Sequence, residues 1–193
     1  MQQPEPALWL DRIAAYARQL ADGDLAALGS LFDLVGPRLV RYAQALLRNA
    51  TDAEDAVQAA VVRLARHPES LATARMPWAY CLRVVRNESL RLMSKQRPTS
   101  TLPERSLTSP FRHWSVEEEE LRQKVLAAVR RLPAEQAEVV VLKVWENLTF
   151  LEIAGVTGEP ANTVASRYRY ALEKLQRSLE PLAPEAYDVL ARR

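Results

Sequence analysis

Thr163, Ser166, Arg167, Tyr170 and Lys174 fall on one face of a helix if the stretch that holds them is helical. Hydroxyls, a guanidinium, a phenol and an ammonium are hydrogen-bonding chemistry. They suit base edges and phosphates. A second group is Arg83, Arg86, Asn87, Arg91 and Lys95, with Arg75 just before and Arg97 just after; only Glu88 opposes them in sign. Guanidinium groups concentrated in this way suit phosphate contacts and stacking on bases, and a solvated charged face accounts for them equally well. A third group, Asp52, Glu54, Asp55 and Gln58, crowds the start of an apolar-periodic segment. The helix dipole favours negative charge there, so capping explains the acids without a partner. The other reading is a face offered to another protein. Nothing in these groups pairs a nucleophile with a base, and no glycine-rich phosphate loop occurs, so catalysis is not expected. His67 and His113 have no metal-ligand spacing with each other or with Cys81, so no metal and no cofactor are expected.

These side chains need helices to position them. In residues 148–175, Thr149 and Glu152 form a T-x-x-E capping box, and Ile153 and Val156 give a short apolar stripe. Gly158 ends that helix and Pro160 suits the start of the next. Val164, Tyr168, Ala171, Leu172 and Leu175 then fall at helical spacing and should face inward. Two helices joined this tightly, the second with a polar and basic face, have the layout of a helix-turn-helix that enters a DNA major groove. An ordinary αα-hairpin with a solvated face is the competing reading.

Composition supports an all-α fold. The chain has 193 residues, 48% of them hydrophobic, with five glycines and no β-type alternation, enough for one large or two small domains. The net charge is only +2, so any basic surface is local and is balanced by acidic surface elsewhere. One cysteine excludes an internal disulfide; Cys81 reads as a small buried apolar residue. No signal peptide and no stretch fit to span a membrane are visible, so a cytoplasmic protein without membrane insertion is expected.

Along the chain, Trp9, Ile13, Ala17 and Leu20 share one helical face, and Asp24 can cap the helix that follows. Leu28, Leu31, Phe32 and Val35 continue the stripe, and Gly36-Pro37 predicts a kink or restart before Leu39, Ala43, Leu46 and Leu47. Thr51 and Glu54 suggest another capping box, ahead of a stripe of Val57, Ala60, Val61 and Leu64. Residues 67–76 read as a loop, and Pro77 opens a helix to about Lys95 with Trp78, Leu82, Val85, Ser89 and Leu92 on one side. Residues 98–116, rich in Pro, Ser and Thr, read as a flexible, extended linker. The expected organisation is a first helical domain over 1–97, the linker, a second over 117–180 with Asn147 as a left-handed helix stop, and a short tail over 181–193.

This order of features resembles the extracytoplasmic-function group of the sigma-70 family, the bacterial RNA polymerase specificity subunits. LFDLVGPRLVRYAQALL followed by DAEDAVQ is similar to the first part of the family's region two, and PWAYCLRVVRNESLR to its promoter-melting part. LPAEQAEVVVLKVWENLTFLEIA followed by GEPANTVASRYRYALEKL resembles region four. The resemblance implies a sigma factor, not an enzyme, that binds core RNA polymerase and directs initiation at promoters. It implies that Asp52, Glu54, Asp55 and Gln58 dock the polymerase's largest subunit. Arg75, Arg83, Arg86, Asn87 and Arg91 would line the path of the minus-ten element, with Trp78 in the core. Thr163, Ser166, Arg167 and Tyr170 would lie over the minus-thirty-five element, with Arg169 and Lys174 nearer the phosphates. Ala59 and Val61 stand where the family usually has Glu and a bulky aromatic. An anti-sigma protein that occludes both domains is a further implied partner. The rival function is a stand-alone helix-turn-helix regulator; it leaves the acidic face and the arginine-rich helix without a task.

Overall fold

A computed structural model describes residues 6–47, 49–95 and 116–182, and every regular element among them is helical. The first bundle comprises α1 (Pro6–Ala21), α2 (Ala26–Leu47), α3 (Ala50–Arg66), α4 (Pro68–Ala72) and α5 (Pro77–Lys95). The second comprises α6 (Val116–Arg130), α7 (Ala134–Val140), a π-helical turn (Val141–Trp145), α8 (Phe150–Thr157) and α9 (Ala161–Leu179). Apart from Val116, which opens α6, the linker read over 98–116 lies outside the described residues, as does the tail beyond Leu182.

The apolar stripes set the packing. Trp9, Ile13, Ala17 and Leu20 of α1 are all buried, as are Trp78, Leu82, Val85 and Ser89 of α5. Trp78 meets Trp9 edge-on, with ring centroids 5.0 Å apart; it belongs to the core and is not available to stack on a base. Cys81 is buried. Asp24 accepts a hydrogen bond from the Ala26 amide at 3.0 Å, as its position before α2 predicts.

Four local expectations need correction. α2 runs unbroken through Gly36-Pro37. Proline's fixed φ is compatible with a helix, and the loss of one backbone bond, roughly 3 kcal/mol, is offset by a continuous buried face of Leu31, Val35, Leu39, Tyr42 and Ala43. At α3 the cap is Asn49, whose Oδ1 accepts from the Thr51 and Asp52 amides, so the helix begins two residues before the expected Thr51–Glu54 box could form. Within residues 67–76 Pro68 nucleates the short helix α4, which buries Leu71. Leu172 is 43% exposed, because it sits about 80° around α9 from the Val164–Ala171–Leu175 stripe.

The two bundles are not separate bodies. α5 packs against α8, and α2 against α7. One apolar cluster joins Leu39, Val57, Leu82 and Val85 of the first bundle to Val139, Leu142, Ile153 and Val164 of the second. Ala128, Val129, Leu132, Ala137, Val140, Ala171 and Leu175 make a smaller core within the second bundle.

Candidate nucleic-acid interface and docking face

The α8–α9 hairpin is held by local chemistry. Thr149 accepts from the Glu152 amide while the Glu152 carboxylate accepts from the Thr149 amide at 2.6 Å, which completes the capping box. Gly158 closes α8 at φ 77, a left-handed geometry that costs a residue with a Cβ. Upstream, Asn147 takes φ 54 after the π-helical turn and redirects the chain into α8, as its residue type predicts. Phe150 then packs on Tyr168 with centroids 5.6 Å apart, fixing α9 against α8.

This leaves Ser166, Arg169, Tyr170 and Lys174 exposed on α9, with Thr163 and Arg167 half-buried. Arg167 donates to Glu159 at 3.2 Å, so it is steered by an acid in the turn. Arg169 lies over the Tyr170 ring at 5.0 Å. A face of hydroxyls, a phenol and cations on the second helix of a helix-turn-helix can read base edges near its start and phosphates along its flank.

On α5, Arg75 (just before it), Arg83, Asn87 and Arg91 are exposed. Arg83 lies over the Tyr80 ring at 5.1 Å. Glu88, the lone acid of this helix, is buried and sits 3.5 Å from Arg63 of α3 and 3.6 Å from Arg91. It therefore ties α5 to α3 while leaving the outer cations in place. Arg86 differs from its neighbours. Its Nε donates to Glu138 Oε1 at 2.7 Å and its Nη2 to Oε2 at 3.4 Å, across the seam between the bundles. Burial works against the Arg86 charge, but the hydrogen bond and negative charge of Glu138 outweigh it and raise its pKa.

On α3, Glu54, Asp55 and Gln58 are exposed and Asp52 is half-buried, while Ala53, Ala56, Val57, Ala60 and Leu64 face the core. The acids thus stand together on the outer side of a helix that packs against α2, α4 and α5.

Sequence reasoning missed the residues of the seam. Tyr42 donates to Glu138 Oε1 at 2.7 Å. Arg38 Nε donates to Glu146 Oε2 at 2.8 Å, and Arg41 Nη2 to Oε1 at 3.2 Å. The Glu146 side chain is 0% exposed. Arg38 also stacks over Trp9 at 4.1 Å. The available signal was Glu138, a carboxylate set inside the apolar run Ala137–Leu142, which requires a partner when that run is buried. Among the described residues, no group of His, Cys, Asp and Glu could hold a metal ion, and no helix is long and apolar enough to cross a membrane.

Comparisons with known proteins agree with this layout. Residues 31–99 match Sigma-70 region 2, and residues 122–175 match Sigma-70 region 4. The chain is 32% identical over 146 residues to the RNA polymerase sigma-E factor of Streptomyces avermitilis, covering 74% of this chain and 79% of that protein. It is 30% identical over 171 residues to the ECF RNA polymerase sigma factor SigL of Mycobacterium tuberculosis, covering 84% and 94%. The fold is similar to that of CnrH solved with the cytosolic domain of CnrY, with TM-score 0.66, 24% identity and coverage of 89% and 99%. It is also similar to the sigma factor RpoE of Bartonella quintana solved with the anti-sigma factor NepR, with TM-score 0.61, 21% identity and coverage of 79% and 96%. The helix-turn-helix, the arginine-bearing α5 and the matches that span them make this chain a member of the extracytoplasmic-function group of the sigma-70 family.

Proposed function

We propose that this sigma factor docks on core RNA polymerase through Asp52, Glu54, Asp55 and Gln58 of α3 and directs initiation at promoters with its two bundles. The first bundle, with the segment before it (residues 1–97), takes the minus-ten element. Arg75, Arg83, Arg86, Asn87 and Arg91 hold its non-template strand. Capture of unpaired bases offsets unstacking of about a few kcal/mol per step. The second (residues 117–180) takes the minus-thirty-five element, with Thr163, Ser166, Arg167 and Tyr170 at the bases and Arg169 and Lys174 at the phosphates. The observation that carries this reading is that α3, α5 and α9 each present a distinct polar face, acidic on the first and cationic on the other two.

A net charge of +2 gives the isolated chain little electrostatic hold on DNA. Polymerase supplies the rest by keeping both bundles at one promoter, which raises the effective concentration of each for its element. The chain works in the cytoplasm, uses no cofactor and catalyses nothing itself. An anti-sigma factor is its inhibitory partner; the Bartonella relative solved with one supports this. A stand-alone regulator would use α9 alone and leave the faces of α3 and α5 idle.

Run-off transcription with core polymerase on a pool of genomic promoters tests the proposal. New start sites are expected only when the chain is added. No new start site, together with no recoverable complex between chain and core, would refute it.

A further inference from the structure

The outer side of α5 carries one stripe. Arg83, Asn87, Leu90 and Ser94 follow one another at intervals of three and four residues, and all four are exposed. Each lies within about 60° of the next around the helix axis. Exposed Arg91 flanks the stripe on one side and exposed Met93 on the other. Leu90 is 40% exposed and Met93 47%. Three residues apart on a helix, they are neighbours and form one apolar patch. A lone exposed leucine is ordinary, but this pair interrupts the polar face of α5. Trp78, Leu82, Val85 and Ser89 take the core-facing side, so packing does not account for Leu90 and Met93. Tyr80, one turn before Arg83, is half-buried and has the Arg83 guanidinium over its ring at 5.1 Å. Leu90 and Met93 are therefore the open apolar surface of the stripe.

The surrounding charges select what covers the patch. Arg83 and Arg91 are exposed beside it, and Glu88, the acid of this helix, is buried. The occupant is anionic as a whole and apolar where it meets Leu90 and Met93. A single DNA strand has that combination, with phosphates along its backbone and bases that offer apolar faces. A duplex does not, because its bases are stacked inside it. Contact with Leu90 and Met93 is thus gained only once a base has left the stack, and a group that binds only the unpaired state shifts the equilibrium toward it. Leucine and methionine are among the side chains that meet unstacked bases in this way.

We propose that Leu90 and Met93 form an apolar platform that holds one or two unpaired bases of the minus-ten non-template strand, while Arg83 and Arg91 beside it take the phosphates. This deepens the functional reading above and rests on it. The platform favours the open promoter over the closed one, and it does so without reading base edges, since an aliphatic surface offers no hydrogen bond. Sequence preference then comes from Asn87 and the arginines, and Leu90 and Met93 contribute to opening.

A base-removal scan on the holoenzyme tests this. The probe is the non-template strand of the minus-ten region of a promoter recovered from the genomic pool, with one base at a time replaced by an abasic site. Holoenzyme carrying Leu90→Gln/Met93→Gln should bind the intact strand about five- to tenfold more weakly than native holoenzyme. Removing the base at one position, or at two adjacent ones, should weaken native binding by a similar factor and cost the double variant nothing further. Other positions should respond alike in both proteins. Leu90→Met/Met93→Leu keeps the patch apolar and should restore the native profile. Circular dichroism confirms that the variants keep their helices. Equal abasic profiles for native and double variant, or a uniform loss at every position, overturn the platform. If the double variant instead loses affinity for core polymerase and keeps the native abasic profile, the patch is a protein contact and the platform is overturned. In each of these cases native holoenzyme still binds the strand, and the sigma-factor reading stands. If native holoenzyme does not bind the strand, the sigma-factor reading fails and the platform fails with it.

Discussion

The Arg86 guanidinium of α5 and the Tyr42 hydroxyl of α2 converge on one oxygen of Glu138, each at 2.7 Å. Two residues of the first bundle thus compensate a single carboxylate of the second. Tyr42→Phe keeps the ring in the core and removes the donor. Loss of a hydrogen bond to a charged group should cost about 1.5–3 kcal/mol in urea denaturation. The same phenol makes stability sensitive to alkali. Burial first, then the negative charge and hydrogen bond of Glu138, hold its pKa well above the ordinary tyrosine value. A pKa raised in the folded state means that this contribution is complete below the unfolded value of about 10 and is lost as pH climbs through the folded one. Denaturation series from neutral to strongly alkaline pH should fall steeply above that point for the native chain and less steeply for Tyr42→Phe. Identical slopes would contradict this account of Tyr42.

Cys81 should behave as a core residue rather than a reactive thiol. It is fully buried, and desolvation pushes its pKa up to about 12. At mildly alkaline pH a thiol reagent should label it only as fast as the protein opens, with urea accelerating the reaction. Immediate labelling of the native chain would show that the α5 core is not closed as described.

Much of this was legible from residue spacing. The stripes of α1 and α5, the Thr149–Glu152 box and the stops at Asn147 and Gly158 are local, and each was read from a few neighbouring residues. The misreadings have two sources, tertiary packing at Pro37 and helical angle at Leu172. Pro37 signals a break, yet the buried face of α2 carries the helix through it. Leu172 is apolar and near the stripe, yet its angle leaves it at the surface. The seam was invisible for a different reason: Arg38 and Glu146 are 108 positions apart, and no local pattern reports such a pairing. Arg86 shows the consequence. Its type and place in the arginine-rich helix suggest DNA contact, while its partner in the free chain could only be found in three dimensions.

Gly158 and the box at Thr149 should define the helix-turn-helix energetically. A Cβ on Gly158 would meet no atom within 4 Å, so Gly158→Ala isolates the backbone cost of φ 77. That cost should be about 1–2 kcal/mol. Thr149→Ala should cost about 1 kcal/mol through loss of the cap. Thermal denaturation measures both. A neutral Gly158→Ala would contradict the left-handed turn.

On α9, Arg167→Ala and Lys174→Ala should separate base reading from phosphate contact. Once a promoter is known, Arg167→Ala should cost about 1–3 kcal/mol in holoenzyme binding and relax preference at one or two positions of the minus-thirty-five element. Lys174→Ala should weaken all promoters evenly and lower the salt slope by about 1. Competition binding against single-base variants at several salt concentrations distinguishes these. The same pattern for both variants would place the helix differently on DNA.

Permanganate probing of unpaired thymines tests the central claim most directly, on a promoter recovered from the genomic pool. With core polymerase and this chain together, reactive thymines should appear across the minus-ten region, and they should be absent with either component alone. Protection of the promoter by the chain alone, with no thymine reactivity in the presence of core, would contradict the account and favour a stand-alone DNA-binding regulator.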